Sequence, residues 1–139
     1  MLVQEIMTKG VVTIDSNDMI FDAFIKYRDE KVGCLIVTDK ERCVGIVTER
    51  DLIEKAACLC KDPKKTKIKE IMSSDIKTIH PLKKLEDALE IMKKYKIKKL
   101  PVVSDDAVVG IVTSTDIVYA RPELTKRFME SWVNIRWED

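Results

Sequence analysis

A single register of repetition runs through this chain and limits what it can fold into more than any other feature. Glu5-Ile6-Met7 returns 65 residues later as Glu70-Ile71-Met72, and with no gap Thr13-Ile14 returns as Thr78-Ile79 and Asp22-Ala23 as Asp87-Ala88. Leu35 matches Leu100 and Val37 matches Val102 in the same register. Val44-Gly45-Ile46-Val47-Thr48 reappears as Val109-Gly110-Ile111-Val112-Thr113, and Asp51 as Asp116. Chance does not hold one register over such a length, so the chain contains two copies of one supersecondary unit.

Each copy reads as β-α-β-β-α. Val11-Val12-Thr13-Ile14 is a β-rich run that ends in Asp15-Ser16-Asn17-Asp18, which supplies helix-start chemistry. Ile20, Ala23, Phe24 and Tyr27 then recur at helical spacing and predict an amphipathic helix over residues 18–30. Leu35-Ile36-Val37-Thr38 and Val44-Gly45-Ile46-Val47-Thr48 flank the polar turn Asp39-Lys40-Glu41-Arg42, a hairpin, and a second helix runs from Glu49 to about Cys60. The second copy predicts a strand at 76–79 and a helix at 82–95 with Leu82, Leu85, Leu89 and Met92 inward. Strands at 99–103 and 108–113 and a helix from Ser114 complete it. The lysine-rich Lys61-Asp62-Pro63-Lys64-Lys65 reads as a linker, which sets the boundaries at 1–60, a linker over 61–67, 68–121, and a tail over 122–139. One such unit leaves a side of its small sheet bare. Two packed with pseudo-twofold symmetry, an α+β arrangement of α/β sandwich-like character, bury both and create two equivalent clefts where ligands can bind.

Composition narrows the function. The balance of 25 Lys+Arg against 24 Asp+Glu argues against a dedicated nucleic-acid binder, which carries a strongly basic face. The four cysteines, Cys34, Cys43, Cys58 and Cys60, form no CxxC pair, and the lone His80 is far from them in sequence, so no zinc site is expected. On a helix Cys58-x-Cys60 points its thiols about 200° apart. Met1-Leu2-Val3-Gln4-Glu5 has neither the basic start nor the apolar run of a signal peptide, and no apolar stretch is long enough to span a bilayer. Free thiols then fit a reducing cytoplasm.

The most informative signature is Gly-Ile-Val-Thr-x-x-Asp, at Gly45 to Asp51 and again at Gly110 to Asp116. It has a purely structural reading, because Thr-x-x-Asp is also a capping box that satisfies free N–H groups at a helix start, and the glycine can relieve a close backbone approach. Its functional reading is that a helix start favours phosphate and that an acidic side chain there accepts hydrogen bonds from ribose hydroxyls. The two are compatible.

The order of elements, the Ile-Met-Thr/Ser start, the Thr-Ile strand and the duplicated Gly-Ile-Val-Thr-x-x-Asp resemble the CBS domain family, named for cystathionine β-synthase, and the paired copies resemble a Bateman module. The resemblance spans roughly residues 3–120. It implies an adenine-nucleotide ligand (AMP, ADP or ATP, with S-adenosylmethionine as an alternative) in clefts that take residues from both copies. One set would join Thr8, Val11, Val32 and Gly33 to Thr113 and Asp116; the other would join Ser73, Ile76, Ile97 and Lys98 to Thr48 and Asp51. It also implies dimerisation into a flat disk. The family places proline after the first strand and in the second. Copy two has Pro81 and Pro101, whereas copy one has Ser16 and Ile36. Copy one carries Glu49-Arg50 ahead of its aspartate where copy two carries Ser114-Thr115, so Arg50, with Lys98 and His80, is expected to make the Asp51 cleft the more basic and the better phosphate site.

Outside the motifs, His80 before Pro81 reads as a turn residue, and Lys93-Lys94, Lys96 and Lys98-Lys99 read as the exposed end of a helix. In the tail, Leu124, Phe128, Trp132 and Ile135 fall near one helical face with Trp137 following, a stripe that must pack on its own module or form a dimer contact. No nucleophile–base pair or Walker-type loop occurs, so the expectation is a regulatory module rather than an enzyme. A scaffold with unoccupied clefts that recruits a partner protein, and a nucleic-acid accessory subunit using the lysine cluster, are the competing readings.

Overall fold

The computed structural model describes residues 1–126 of the 139. Phe128, Trp132, Ile135 and Trp137 of the expected tail stripe lie outside the described residues. The chain divides into two compact units, but the division is offset from the sequence repeats. Val11–Ile76 form one unit, and Met1–Gly10 join Lys77 onward to form the other. Each repeat's opening segment therefore belongs to the unit built on the other repeat.

The 11–76 unit begins with β1 (Thr13–Asp15), which crosses through helix α2 (Ile20–Glu30) to lie parallel to β2 (Cys34–Asp39), with Thr13 opposite Ile36. A hairpin returns the chain as β3 (Arg42–Thr48), antiparallel to β2, with Cys34 opposite Thr48. The two-residue turn places Lys40 at φ 51° and Glu41 at φ 69°. Both central residues are left-handed, as the twist of a tight hairpin demands, although neither is a residue that favours that conformation. Ile14, Ile20, Ala23, Leu35, Val37, Val47, Leu52, Ala56, Ile68 and Ile71 form the core. The predicted amphipathic spacing holds here: Ile20 and Ala23 are fully buried, with Phe24 and Tyr27 packed against that core.

The second unit repeats the plan with one difference. Helix α4 (Leu85–Tyr95) packs on β4 (Lys99–Ser104) and β5 (Ala107–Thr113), an antiparallel pair turned by Asp105 and Asp106 at φ 52° and 66°. The strand expected at 76–79 shrinks to a single parallel bridge between Ile79 and Val102. The expected inward Leu82 is 59% exposed, because α4 starts only at Leu85. His80-Pro81-Leu82 forms a turn instead, with His80 Nδ1 accepting the Leu82 N–H at 3.1 Å. Leu85, Leu89 and Met92 are buried as the spacing requires, alongside Ala88, Leu100, Val102, Val112 and Ile117. Val3, on the short helix α1 (Val3–Ile6), is fully buried in this same core.

Candidate functional site at the two strand-to-helix junctions

In both units the opening segment of the opposite repeat supplies one more backbone position beside the last strand of the hairpin. Thr8 and Ile111 exchange two N–H···O bonds of 2.9 and 3.0 Å, and Ser73 and Ile46 exchange two of 3.0 Å. This contact explains the signature glycine. A Cβ on Gly110 would stand 2.7 Å from Met7 Sδ and 2.9 Å from the Thr8 carbonyl oxygen; on Gly45 it would meet Met72 Sδ at 2.7 Å and the Ser73 oxygen at 2.9 Å. Glycine is required because another stretch of backbone crosses there.

Three residues on, the strand becomes a helix. Thr48 starts α3 (Glu49–Asp51), which continues in π-helical form over Leu52–Ala57, with Cys58 N–H bonded to the Ile53 oxygen at 2.8 Å. Thr113 starts α5 (Ser114–Ala120). The capping box is formed in both. Thr48 Oγ1 accepts from Asp51 N–H at 3.2 Å while Asp51 Oδ2 accepts from Thr48 N–H at 3.0 Å; the Thr113–Asp116 pair repeats this at 3.1 and 3.0 Å. Each aspartate thus spends one carboxylate oxygen on the helix start and is held in one orientation by it. Tyr27 steadies the first junction, donating its hydroxyl to the Val47 oxygen at 2.8 Å. Burial, reinforced by Cys34, Glu49 and Asp51, pushes the phenol well above its ordinary range.

The remaining oxygen separates the copies. Asp51 Oδ1 lies 3.0 Å from Lys55 Nζ, and Lys55 also donates to Ser73 Oγ at 3.5 Å. Under the repeat offset Lys55 corresponds to Ala120, and Asp116 Oδ1 has no such partner among the described residues. Arg50, singled out from sequence as the cation of this junction, has its Nε 3.0 Å from Glu54 Oε1. Lys55 was not visible as a site residue from the motif alone; laying the copies in register beyond Asp51 exposes it.

Thr8 shares a unit with Thr113 and Asp116, and Ser73 shares one with Thr48 and Asp51, so the structure gathers these parts of each expected set. Val11, Val32 and Gly33 belong to the 11–76 unit, where Val32 packs on its core; Ile97 and Lys98 belong to the other, with the Lys98 oxygen accepting Ser114 N–H at 2.8 Å. Ile76 closes the 11–76 unit and is half-buried. A separate cavity of about 380 Å³ is lined by His80, Lys83, Asp87, Glu90, Lys94 and Tyr95 among others, and the motif residues do not reach it. Among the described residues no cluster of His, Cys, Asp and Glu is placed to hold a metal ion, and no helix is long and apolar enough to cross a membrane.

A duplicated sheet-and-helix unit whose hairpin strand ends in a threonine-capped aspartate defines a paired-repeat class. The CBS domain profile matches residues 3–57 and 68–123, and the chain belongs to the CBS domain family as a domain pair. It is 30% identical over 90% of its length to an uncharacterised protein of Methanocaldococcus jannaschii, covering 68% of that protein. Across the first curated relatives that it matches, the chain spans between 22% and 68% of their lengths. Among solved structures, the CBS domain pair of protein MJ0100, in complex with 5′-methylthioadenosine and S-adenosyl-L-methionine, is 34% identical with a TM-score of 0.76, over 86% of this chain and 94% of that one. A hexameric CBS-CP12 protein from bloom-forming cyanobacteria is 30% identical with a TM-score of 0.75, over 94% of this chain and 74% of that one.

Proposed function

We propose that this CBS pair is a non-catalytic regulatory module that binds adenosine-containing ligands, AMP, ADP or ATP foremost, with Asp51 and Asp116 receiving the ribose hydroxyls. The observation that carries this reading is the state of Asp116. Its Oδ2 is fixed by the Thr113 N–H at 3.0 Å, while its Oδ1 has no partner among the described residues. A carboxylate locked in orientation by one oxygen and open at the other is a preorganised acceptor for a diol, and a fixed acceptor loses little entropy on binding. The MJ0100 pair, with its adenosyl ligands, supports the ligand class and brings S-adenosylmethionine within it. Thr8, Val11, Val32 and Gly33 would complete one set, and Ser73, Ile76, Ile97 and Lys98 the other. A ligand that binds one conformation of the protein better than another shifts the population toward it, the physical basis of a regulatory role. A cytoplasmic homodimer is the form in which we expect it to act.

Thermal shift and titration calorimetry with AMP, ATP and S-adenosylmethionine test the reading. A ligand at 100 times its Kd adds about 2.7 kcal/mol of stability, and no stabilisation by any of the three would favour a scaffold with empty clefts.

A further inference from the structure

The two junctions are chemically unequal. At the first, the Asp51 carboxylate is 11% exposed at its side chain and carries an ammonium 3.0 Å away, itself braced against Ser73 Oγ. At the second, the same offset places Ala120 where Lys55 stands and Thr8 where Ser73 stands, and among the described residues no cation is seated on Asp116. Residues 48–55 and 113–120 carry the same net charge, because Glu49 and Glu54 offset the added cations of the first stretch. The distinction therefore lies in where a cation stands: Arg50 Nε is paired with Glu54, and the Lys55 ammonium is paired with the motif carboxylate.

We propose that Lys55 makes the Asp51 site selective for an adenosyl ligand with an anionic 5′ group, a phosphate, while the Asp116 site, lacking that ammonium, prefers a neutral or cationic 5′ group such as a thioether or sulfonium. The proposal rests on the adenosyl reading given above. An ammonium has three N–H donors; at Lys55 one faces Asp51 Oδ1 and one Ser73 Oγ, which leaves a third for a ligand. A ribose hydrogen-bonded to Asp51 carries its 5′ substituent within one sugar's width of the carboxylate. The flexible four-carbon stem of a lysine covers that distance by changing rotamer, and the side chain is 44% exposed and so is not packed in place. Phosphate beside an unneutralised carboxylate would meet like-charge repulsion, whereas a sulfonium there would gain attraction. The difference between the copies thus assigns the two ligand charges to different junctions.

Calorimetric titration of the full chain with AMP and with 5′-methylthioadenosine, which share adenosine and differ in 5′ charge, tests this. Lys55→Met is expected to weaken AMP binding about tenfold at one site and to leave 5′-methylthioadenosine within about twofold. Because Lys55→Met also removes the counter-ion of a nearly buried carboxylate and can lower stability, the converse variant Ala120→Lys is measured beside it, and it is expected to strengthen AMP binding at the other site. A merely structural i,i+4 staple would shift both ligands alike. Equal effects on the two ligands in Lys55→Met, or no gain for AMP in Ala120→Lys, overturns the charge assignment while leaving the adenosyl reading standing. Failure of the unmodified protein to bind either ligand removes that reading, and the assignment with it.

Discussion

Replacing Gly110 with alanine tests the packing that builds the second junction. The new Cβ would stand 2.7 Å from Met7 Sδ and 2.9 Å from the Thr8 carbonyl oxygen. The thioether is the middle of a flexible side chain and can rotate away, but the carbonyl belongs to backbone held by two hydrogen bonds to Ile111 at 2.9 and 3.0 Å. Either the segment lifts and both bonds lengthen, or the strand distorts. Overpacking of this kind costs about 1–3 kcal/mol, and losing part of two hydrogen bonds at about 1 kcal/mol each keeps the sum in that range. For a chain of this size a loss of about 2 kcal/mol lowers the melting temperature by roughly 4–8 °C. Thermal denaturation followed by far-ultraviolet circular dichroism measures it, and Gly45→Ala, facing Met72 and Ser73 at the same distances, should behave alike. If both variants melt within 1 °C of the unmodified protein, on the order of the error of such a comparison, the close approach of the exchanged segments is wrong.

Four further outcomes follow from the same geometry. Replacing the Lys40-Glu41 turn with Asn-Gly relieves two left-handed φ angles of 51° and 69° and should raise stability by about 1 kcal/mol, read from the urea midpoint. Val3→Ala, in a fully buried position of the core that Lys77 onward builds, should cost about 2 kcal/mol in the same measurement even though it lies at the start of the chain. Tyr27 has its ordinary value of 10.0 raised on folding, mainly by burial, so the unfolded state ionises first: its contribution is whole below pH 10 and is lost as pH rises above it. Stability measured between pH 8 and pH 11 should therefore fall at the alkaline end, and Tyr27→Phe should flatten that fall. Cys43 is half-buried and burial raises its thiol's pKa, whereas Cys58 and Cys60 are exposed. Alkylation at pH 8 should label the latter two well before Cys43, as mass spectrometry of timed quenches would show.

Much of this architecture was legible because its signals are local and doubled. The register of 65 gave the two hairpins, the inward faces of α2 and α4, and the Thr-x-x-Asp junctions, each formed as a capping box. What stayed hidden depends on contacts distant in sequence. Nothing in Met1–Gly10 states that it completes the unit around β4 and β5, because the same Glu-Ile-Met segment is compatible with either hairpin. The 76–79 strand read as β-rich, yet only Ile79 bridges, since a parallel partner needs register and a crossover as well as propensity. Leu82 matched the helical spacing but precedes the helix, as the turn at His80-Pro81 delays its start to Leu85. The signature glycine was readable as either a structural or a functional feature, and the 2.9 Å approach of a carbonyl oxygen gives it a structural cause. Arg50 drew attention by its charge, whereas the ammonium on Asp51 is Lys55, one helical turn on, a distinction that side-chain geometry settles and motif spacing does not.

A ribose diol is proposed to dock on the motif aspartates, each held in one orientation by its capping hydrogen bond. Comparing AMP with 2′-deoxy-AMP by calorimetry, in the unmodified chain and in a doubly substituted Asp51→Asn, Asp116→Asn chain, tests it most directly. Removing the 2′-hydroxyl is expected to weaken binding to the unmodified chain about tenfold, and the doubly substituted chain is expected to bind both nucleotides weakly and alike. Equal affinity for the two nucleotides in the unmodified chain, or a full preference for the ribonucleotide surviving the double substitution, would contradict it.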